Sequence, residues 1–320
     1  MRRIIVKPAV VLSLLTTILA LVATPPAGAQ GSLGRIRIGT SGGLNTAIQP
    51  VLYAKSAGLL EKAGLSAEII EMTDDTTAVQ SLIGGQFDLL YTGAGTGMTA
   101  ISKGADIKLV MSHAPWVDYL FLTPNTIKSL KEMEGKVLGV SKLGALSHLA
   151  PVLALQREGV DVNKIKFVAI GNDAARGQAL AATKSIHVIY NVGAVFRDSF
   201  MSTAVFARGG AIRDNPRAVA AVVKSLIQAS RDLQSSKSRA VEQAKKSGLP
   251  EAVSQATYDL LLGADVPYYG VDGGVSQKAV ESTVKLLKDG GSLERSPSFA
   301  EFVDLQFVTQ ALKELGPYKP

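Results

Sequence analysis

The chain of 320 residues has no cysteine. This excludes disulfides, thiolate metal sites and thiol catalysis, and leaves stability to packing alone. It has one tryptophan, Trp116, and three histidines, His113, His148 and His187. The histidines are far apart and lack carboxylates at ligand spacing, so no metal site is expected. No run of five like charges occurs, which argues against nucleic acid as a partner. Beyond the N-terminal two dozen residues no apolar stretch is long enough to span a bilayer. Catalytic sets are also missing. Gly139-Val140-Ser141-Lys142-Leu143 imitates a nucleophile elbow for three residues, but Leu143 stands where glycine is needed, and no Asp–His pairing is evident. Gly93-Ala94-Gly95 lacks the rest of a dinucleotide fingerprint, so no cofactor is expected. The chain reads as a non-enzyme with no catalytic residue.

What is present begins with a basic segment, Arg2, Arg3 and Lys7, followed by an uncharged apolar stretch over residues 8–23. Pro25 and Pro26 then break any helix, and Ala27-Gly28-Ala29 forms a small-x-small box before Gln30. This pattern predicts a secretory signal peptide, residues 1–29, cleaved after Ala29, and a periplasmic mature protein. With no cysteine to acylate, it is not a lipoprotein. Loss of three basic residues lowers Lys plus Arg from 34 to 31 against 27 acidic residues, a mature net charge of +4.

The mature chain alternates β-branched runs with amphipathic stretches, which predicts an α/β fold with parallel strands. Strands are expected at 35–40, 67–72, 87–91, 107–111, 136–140, 165–170, 186–192 and 202–206. Helices are expected at 47–60, from Asp74 or Asp75 to Ile83, at 147–158, 173–182, and through most of the chain from Asn215 onward. Two βα sets, a return crossing near 202–208 and a helical tail give two lobes with two crossovers: residues 30–122 plus 208–320 as lobe 1 with C-terminal helices, and 123–207 as lobe 2. A cleft between lobes is a usual place for a small ligand.

Several stretches carry a family pattern in order. Gln49-Pro50-Val51-Leu52-Tyr53-Ala54-Lys55, then Gly58-Leu59-Leu60-Glu61-Lys62-Ala63-Gly64-Leu65, resembles a P-x-x-x-A-x-x-x-G-x-F-x-x-x-G-L helix. Leu82-Ile83-Gly84-Gly85-Gln86-Phe87-Asp88 resembles an L-x-x-G-x-x-D turn. Residues 127–140, from Ile127-Lys128-Ser129-Leu130 to Val137-Leu138-Gly139-Val140, resemble I-x-x-L-x-D-L-K-G-K-x-I-G-V. Phe302-Val303-Asp304-Leu305 through Ala311-Leu312-Lys313-Glu314-Leu315-Gly316 matches the C-terminal helix. Together they resemble the periplasmic substrate-binding proteins of ABC importers of the nitrate/sulfonate/taurine type. The resemblance implies a type 2 Venus-flytrap fold, no catalysis, a small-molecule ligand, a monomer, and an inner-membrane ABC permease with its ATPase as partner. One departure stands out. After Leu180-Ala181-Ala182 the family pattern continues with x-G-x-V-D-A, a strand and a further helix; here Thr183-Lys184-Ser185 runs straight into Ile186. A strand and helix of lobe 2, on the order of 20–30 residues, are missing, so the second lobe is shortened.

In open α/β sheets ligands sit beyond the C-terminal ends of strands, where helix N-termini favour anions. Four segments meet that rule. The first is Ser41 to Thr46, with Ser41, Gly42, Asn45 and Thr46 as candidate contacts or as a plain turn. The second is Tyr91-Thr92-Gly93. The third ends in Trp116, which can stack on a ligand or belong to the core. The fourth runs from Lys142 to His148 and matches the family's G-S-x-x-x loop in position; Gly144, Ala145, Ser147 and His148 are its candidates, with Ser147 as the helix cap and His148 as a donor to an anion. The reading is a binding protein that captures a small anionic or aromatic ligand between two lobes and delivers it to a permease. Two alternatives stay open: a ligand-sensing partner of a membrane regulator, and an enzyme on the same fold. Relatives that synthesise a thiamine pyrimidine use histidine- and cysteine-bearing motifs in the cytosol, which the signal peptide and the absent cysteine oppose. The paired Asp74-Asp75 reads as a helix cap rather than an acid/base pair.

Overall fold

Strand β1 (Gly34–Thr40) buries Ile36 and Ile38. A loop leads to α1 (Gln49–Ser56) and α2 (Leu59–Lys62), then β2 (Leu65–Glu71), α3 (Asp75–Ile83), β3 (Leu89–Gly93), α4 (Ala94–Ser102) and β4 (Ile107–Ala114). The single helix expected over 47–60 is two, because Gly58 takes a left-handed φ of 68° between them, a conformation cheap only for glycine. Then follow β5 (Leu120–Pro124), β6 (Val137–Val140), α5 (Leu146–Arg157), β7 (Lys166–Ala169), α6 (Asp173–Ala181), β8 (Ile186–Asn191) and α7 (Val192–Phe196). The chain returns through β9 (Thr203–Arg208) and ends in α8 (Gly209–Asp214), α9 (Pro216–Gln234), α10 (Lys237–Lys246), α11 (Glu251–Leu262), α12 (Gln277–Asp289), α13 (Phe299–Phe302) and α14 (Gln306–Leu315). This computed structural model describes residues 32–171, 173–181, 186–196, 199–249, 251–262 and 267–319. The expected signal peptide, its cleavage box and the junction at 182–185 lie outside the described residues.

Among the described residues three sheets form. The main one has the order β2-β1-β3-β9-β4; β1, β2 and β3 are parallel and β9 runs antiparallel between β3 and β4. β5 pairs antiparallel with β8, and β6 pairs parallel with β7. Among the described residues no strand joins these two pairs.

Both faces of the main sheet are covered, as parallel strands require. On one face α1 and α9 bury a core that includes Ile38, Val51, Val222 and Leu226. Helix α9 forms because Val219, Val222, Val223, Leu226 and Leu233 recur on one helical stripe; Asn215 caps it by accepting the Ala218 N–H at 3.2 Å, with Pro216 in the first turn. The other face carries Leu82, Phe87, Met98 and Phe206, and this core continues into Leu149, Ala150 and Leu155 of α5. Helix α12 bridges the two through Leu287 and Gly290, where an added Cβ would lie 2.5 Å from Leu149. The second core therefore runs across the 122/123 boundary expected between lobes.

Candidate functional site

The first two candidate segments meet at the C-terminal ends of β1 and β3. The Ser41 hydroxyl lies 2.7 Å from Asp75 Oδ1 and 2.7 Å from Thr92 Oγ1, and its N–H donates to the Tyr91 carbonyl at 3.1 Å. Gly42 has φ of 86°. A Cβ on Gly93 would lie 2.6 Å from Asp75 Oδ2, so the carboxylate can seat here only because position 93 is glycine. Ser41, Gly42, Thr92 and Gly93 thus surround Asp75, which the sequence reading passed over as a cap. The cap is Asp74: its carboxylate accepts the Thr77 N–H at 2.9 Å, and the hydrogen bonds from Thr77 hold its pKa below the usual carboxylate value. Asn45 shapes its own loop, accepting the Ile48 N–H at 3.1 Å and donating to Gly43 O. Thr46 offers its carbonyl to the Tyr269 hydroxyl at 3.0 Å.

The fourth segment lies across from this knot. Lys142 Nζ donates to Thr76 Oγ1 at 3.3 Å, which ties the β6–α5 loop to the first turn of α3. Gly144, at φ of 80°, donates its N–H to His148 Nδ1 at 3.1 Å and receives the Ser292 hydroxyl on its carbonyl at 2.8 Å. Ser147 does not cap α5; Ala145 occupies the cap position without a side-chain bond. The Ser147 hydroxyl folds back instead, accepting the Ser141 N–H at 3.1 Å and bonding the Ser141 hydroxyl. His148 packs edge-on against Phe167 at 4.6 Å, and burial lowers its pKa. Its Nδ1 is an acceptor, so in the neutral ring Nε2 carries the proton available to a ligand.

The third segment is buried wall. Trp116 is 3% exposed, donates Nε1–H to Pro267 O at 3.1 Å and meets Tyr268 edge-on at 5.3 Å. Tyr91, 1% exposed, lies 5.6 Å from the His113 ring. The Tyr268 hydroxyl donates to Asp118 at 2.6 Å, and those of Tyr258 and Tyr269 are 2.9 Å apart. Burial raises all three tyrosine pKa values, that of Tyr258 to about 12. These tyrosines and Asp118 were missed by sequence reasoning; the available hint was the Pro267-Tyr268-Tyr269-Gly270 run ahead of the Gly273-Gly274 turn. His113 is fully buried with neither ring nitrogen hydrogen-bonded, and desolvation pushes its pKa down to about 3. Among the described residues no group of three or more His, Asp or Glu side chains could hold a metal ion, and no helix is long and apolar enough to cross a membrane.

The knot around Asp75 is tied to the β6–α5 loop through Lys142 and Thr76, whereas Tyr91, Trp116, Tyr268 and Tyr269 are buried behind it. Comparison with known proteins agrees with that architecture. The ligand-binding component of an ABC-type import system from Staphylococcus aureus, with zinc bound, superposes with a TM-score of 0.72 at 14% identity, covering 87% of this chain and 99% of that one. The alkanesulfonate-binding protein SsuA from Xanthomonas axonopodis pv. citri, bound to MOPS, gives 0.67 at 18% identity over 85% of this chain and 98% of that one. The periplasmic nitrate-binding protein NrtA from Synechocystis PCC 6803 gives 0.65 at 13% identity over 88% and 89%. No curated protein matches the sequence. The sequence profile described as NMT1/THI5 like matches residues 45–240. The chain has the periplasmic binding-protein fold and belongs to the NMT1/THI5-like family.

Proposed function

We propose that this protein is an exported, non-enzymatic solute-binding protein that captures a small anionic or aromatic ligand at the strand ends and delivers it to an ABC permease of the inner membrane. The observation that carries the reading is the convergence of Ser41, Asp75, Thr92 and Gly93 opposite Lys142, whose ammonium reaches Thr76 from the other side of the site. The fold supports a binding role, since its structural neighbours include ligand-binding components of importers. The polar groups divide the work. Asp75 repels a bare anion at the start of α3 and favours an N–H or O–H donor there, whereas Lys142 and the His148 side suit an acidic or aromatic end. The ligand class is therefore an acid or aromatic compound that also carries a hydrogen-bond donor.

Thermal-shift and calorimetric titration of the mature chain against nitrate, sulfonates and aromatic acids with and without an amino or hydroxyl group tests this. A ligand present at about 100 times its Kd adds roughly 2.7 kcal/mol of stability. Donor-bearing acids are expected to stabilise most, and Asp75→Asn to weaken them by about tenfold. If no compound in these classes shifts the melting curve, the binding assignment fails. If plain anions bind best, the role given to Asp75 fails while the binding role stands.

A further inference from the structure

A cavity of ≈ 630 Å³ lies between the C-terminal half of β2, helix α1 and helix α10. Every residue that lines it is described. Its apolar lining is Leu44, Ile48, Leu52 and Ile69, of which only Ile48 is fully buried. The other three keep part of their apolar surface open to the cavity. The cavity is distinct from the knot around Asp75. Successive side chains of an extended chain point to opposite faces. Thr40 accordingly lines the cavity on the α1 side of the sheet, whereas Ser41 turns to Asp75 of α3. Ile69 and Glu71, two apart on β2, share the cavity face.

Hydrogen bonds between α1 and α10 hold the two walls in place. The Ser56 hydroxyl donates to Gln243 Oε1 at 2.9 Å, and the Ser247 hydroxyl donates to Gln49 Oε1 at 3.0 Å. Gln243 Nε2 in turn donates to the Ser247 hydroxyl at 3.0 Å. These neutral polar groups are matched within the frame. The charged groups at the rim are not all matched. Lys246 of α10 pairs with Glu242 at 2.8 Å, but among the described residues no ion pair engages Lys55 of α1 or Glu71 of β2. The cavity thus joins an apolar floor to a cation on the helix wall and a carboxylate on the sheet wall. A purely apolar molecule would use neither charge. A simple anion would meet the like charge of Glu71, and a simple cation that of Lys55.

We propose that this cavity binds a small apolar zwitterion, of the kind an apolar dipeptide forms, with its carboxylate at Lys55, its ammonium at Glu71 and its side chains on Ile48, Leu52 and Ile69. The apolar contacts supply most of the affinity, because area removed from water acts wherever the floor is covered. The two charges set the orientation, since exposed ion pairs are individually weak. The volume falls in the range of about 300–1,000 Å³ usual for ligand sites. The site does not depend on the solute proposed above.

The test is calorimetric titration of the mature chain with four probes: the dipeptide Leu-Leu, its C-terminal amide, its N-acetyl derivative, and Gly-Gly. Leu-Leu is expected to bind, with the amide and the acetyl derivative each weaker by about fivefold and Gly-Gly weaker by more than about tenfold. Lys55→Gln is expected to abolish the difference between Leu-Leu and its amide, and Glu71→Gln the difference between Leu-Leu and its acetyl derivative. Both residues are exposed, so neither substitution threatens the fold. The proposal is overturned if Leu-Leu gives neither heat nor thermal shift at millimolar concentration, if Gly-Gly or both blocked peptides bind as tightly as Leu-Leu, or if both variants bind all four probes as the unaltered protein does.

Discussion

A single buried imidazole links this protein's stability to pH. His113 has no partner for either nitrogen, and its pKa falls from an ordinary 6.5 to about 3 on folding. Between those values the unfolded chain binds the extra proton, so stability drops as pH falls from above 6.5 toward 3. From pH 7 to pH 5 the histidine is expected to remove about 2 kcal/mol, at roughly 1.36 kcal/mol per pKa unit. Urea titrations of the parent and His113→Phe at both pH values measure this. The substituted protein should lose about 2 kcal/mol less, and equal losses would mean that His113 is protonated or opened in the folded state. Arg231 offers a second residue-scale case. It is 9% exposed and donates to Val271 O at 2.7 Å, Leu315 O at 3.3 Å and Gly316 O at 2.8 Å. Arg231→Ala strands these carbonyls and is expected to cost about 3 kcal/mol in urea unfolding. A cost below about 0.5 kcal/mol would show that water replaces the guanidinium.

At the scale of elements, the segment from Tyr268 to Gly274 decides the aromatic wall. It lies against β4, the edge strand of the main sheet: Gly270 N–H donates to His113 O and Ser112 N–H to Gly273 O, both at 2.8 Å. The approach is so close that a Cβ on Gly270 would sit 1.9 Å from Ser112 O. Gly270→Ala must push the segment off the strand and lift Tyr268 from Asp118. A loss of about 1–3 kcal/mol, with a changed near-ultraviolet tyrosine and tryptophan signal, is the expected outcome. Unchanged melting would place this segment elsewhere in solution. The β6–α5 loop behaves similarly, since Gly144 combines φ of 80° with Ser292 Oγ only 3.0 Å from an added Cβ. Gly144→Val should remove binding of a ligand found by titration while leaving far-ultraviolet dichroism intact.

Across the described residues the sheets differ in size. The main sheet has five strands covered on both faces, whereas β5–β8 and β6–β7 are two-stranded pairs, and isolated pairs are marginal in water. Val137 and Val188 are exposed on these pairs at 59% and 49%. Residues 123–196 are therefore expected to exchange amide hydrogens faster than β1, β3 and β9 in the unliganded protein. Equal protection in both regions would show that the shared core through Leu149, Gly290 and Leu287 makes them one cooperative unit.

The alternation of β-branched runs and amphipathic stretches was legible without coordinates, because strand and helix periods are local properties of the chain. β1 and α9 fall where the pattern put them for that reason. The seating of Asp75 was not legible. Its neighbour Asp74 satisfies the local capping rule, and only the distant Gly93, by lacking a side chain, leaves room for the second carboxylate. Nor could the chain alone place Tyr268 and Tyr269 beside Thr46 and Asp118, more than a hundred residues away, since that contact follows from Gly270 meeting the edge of β4. Ser147 had the composition of a cap, yet Ser141 competes for its hydroxyl. Short-range periodicity and capping chemistry are written in neighbouring residues; which carboxylate seats beside Ser41, which rings pack behind it and which strands pair are set by groups that meet only when the sheets assemble.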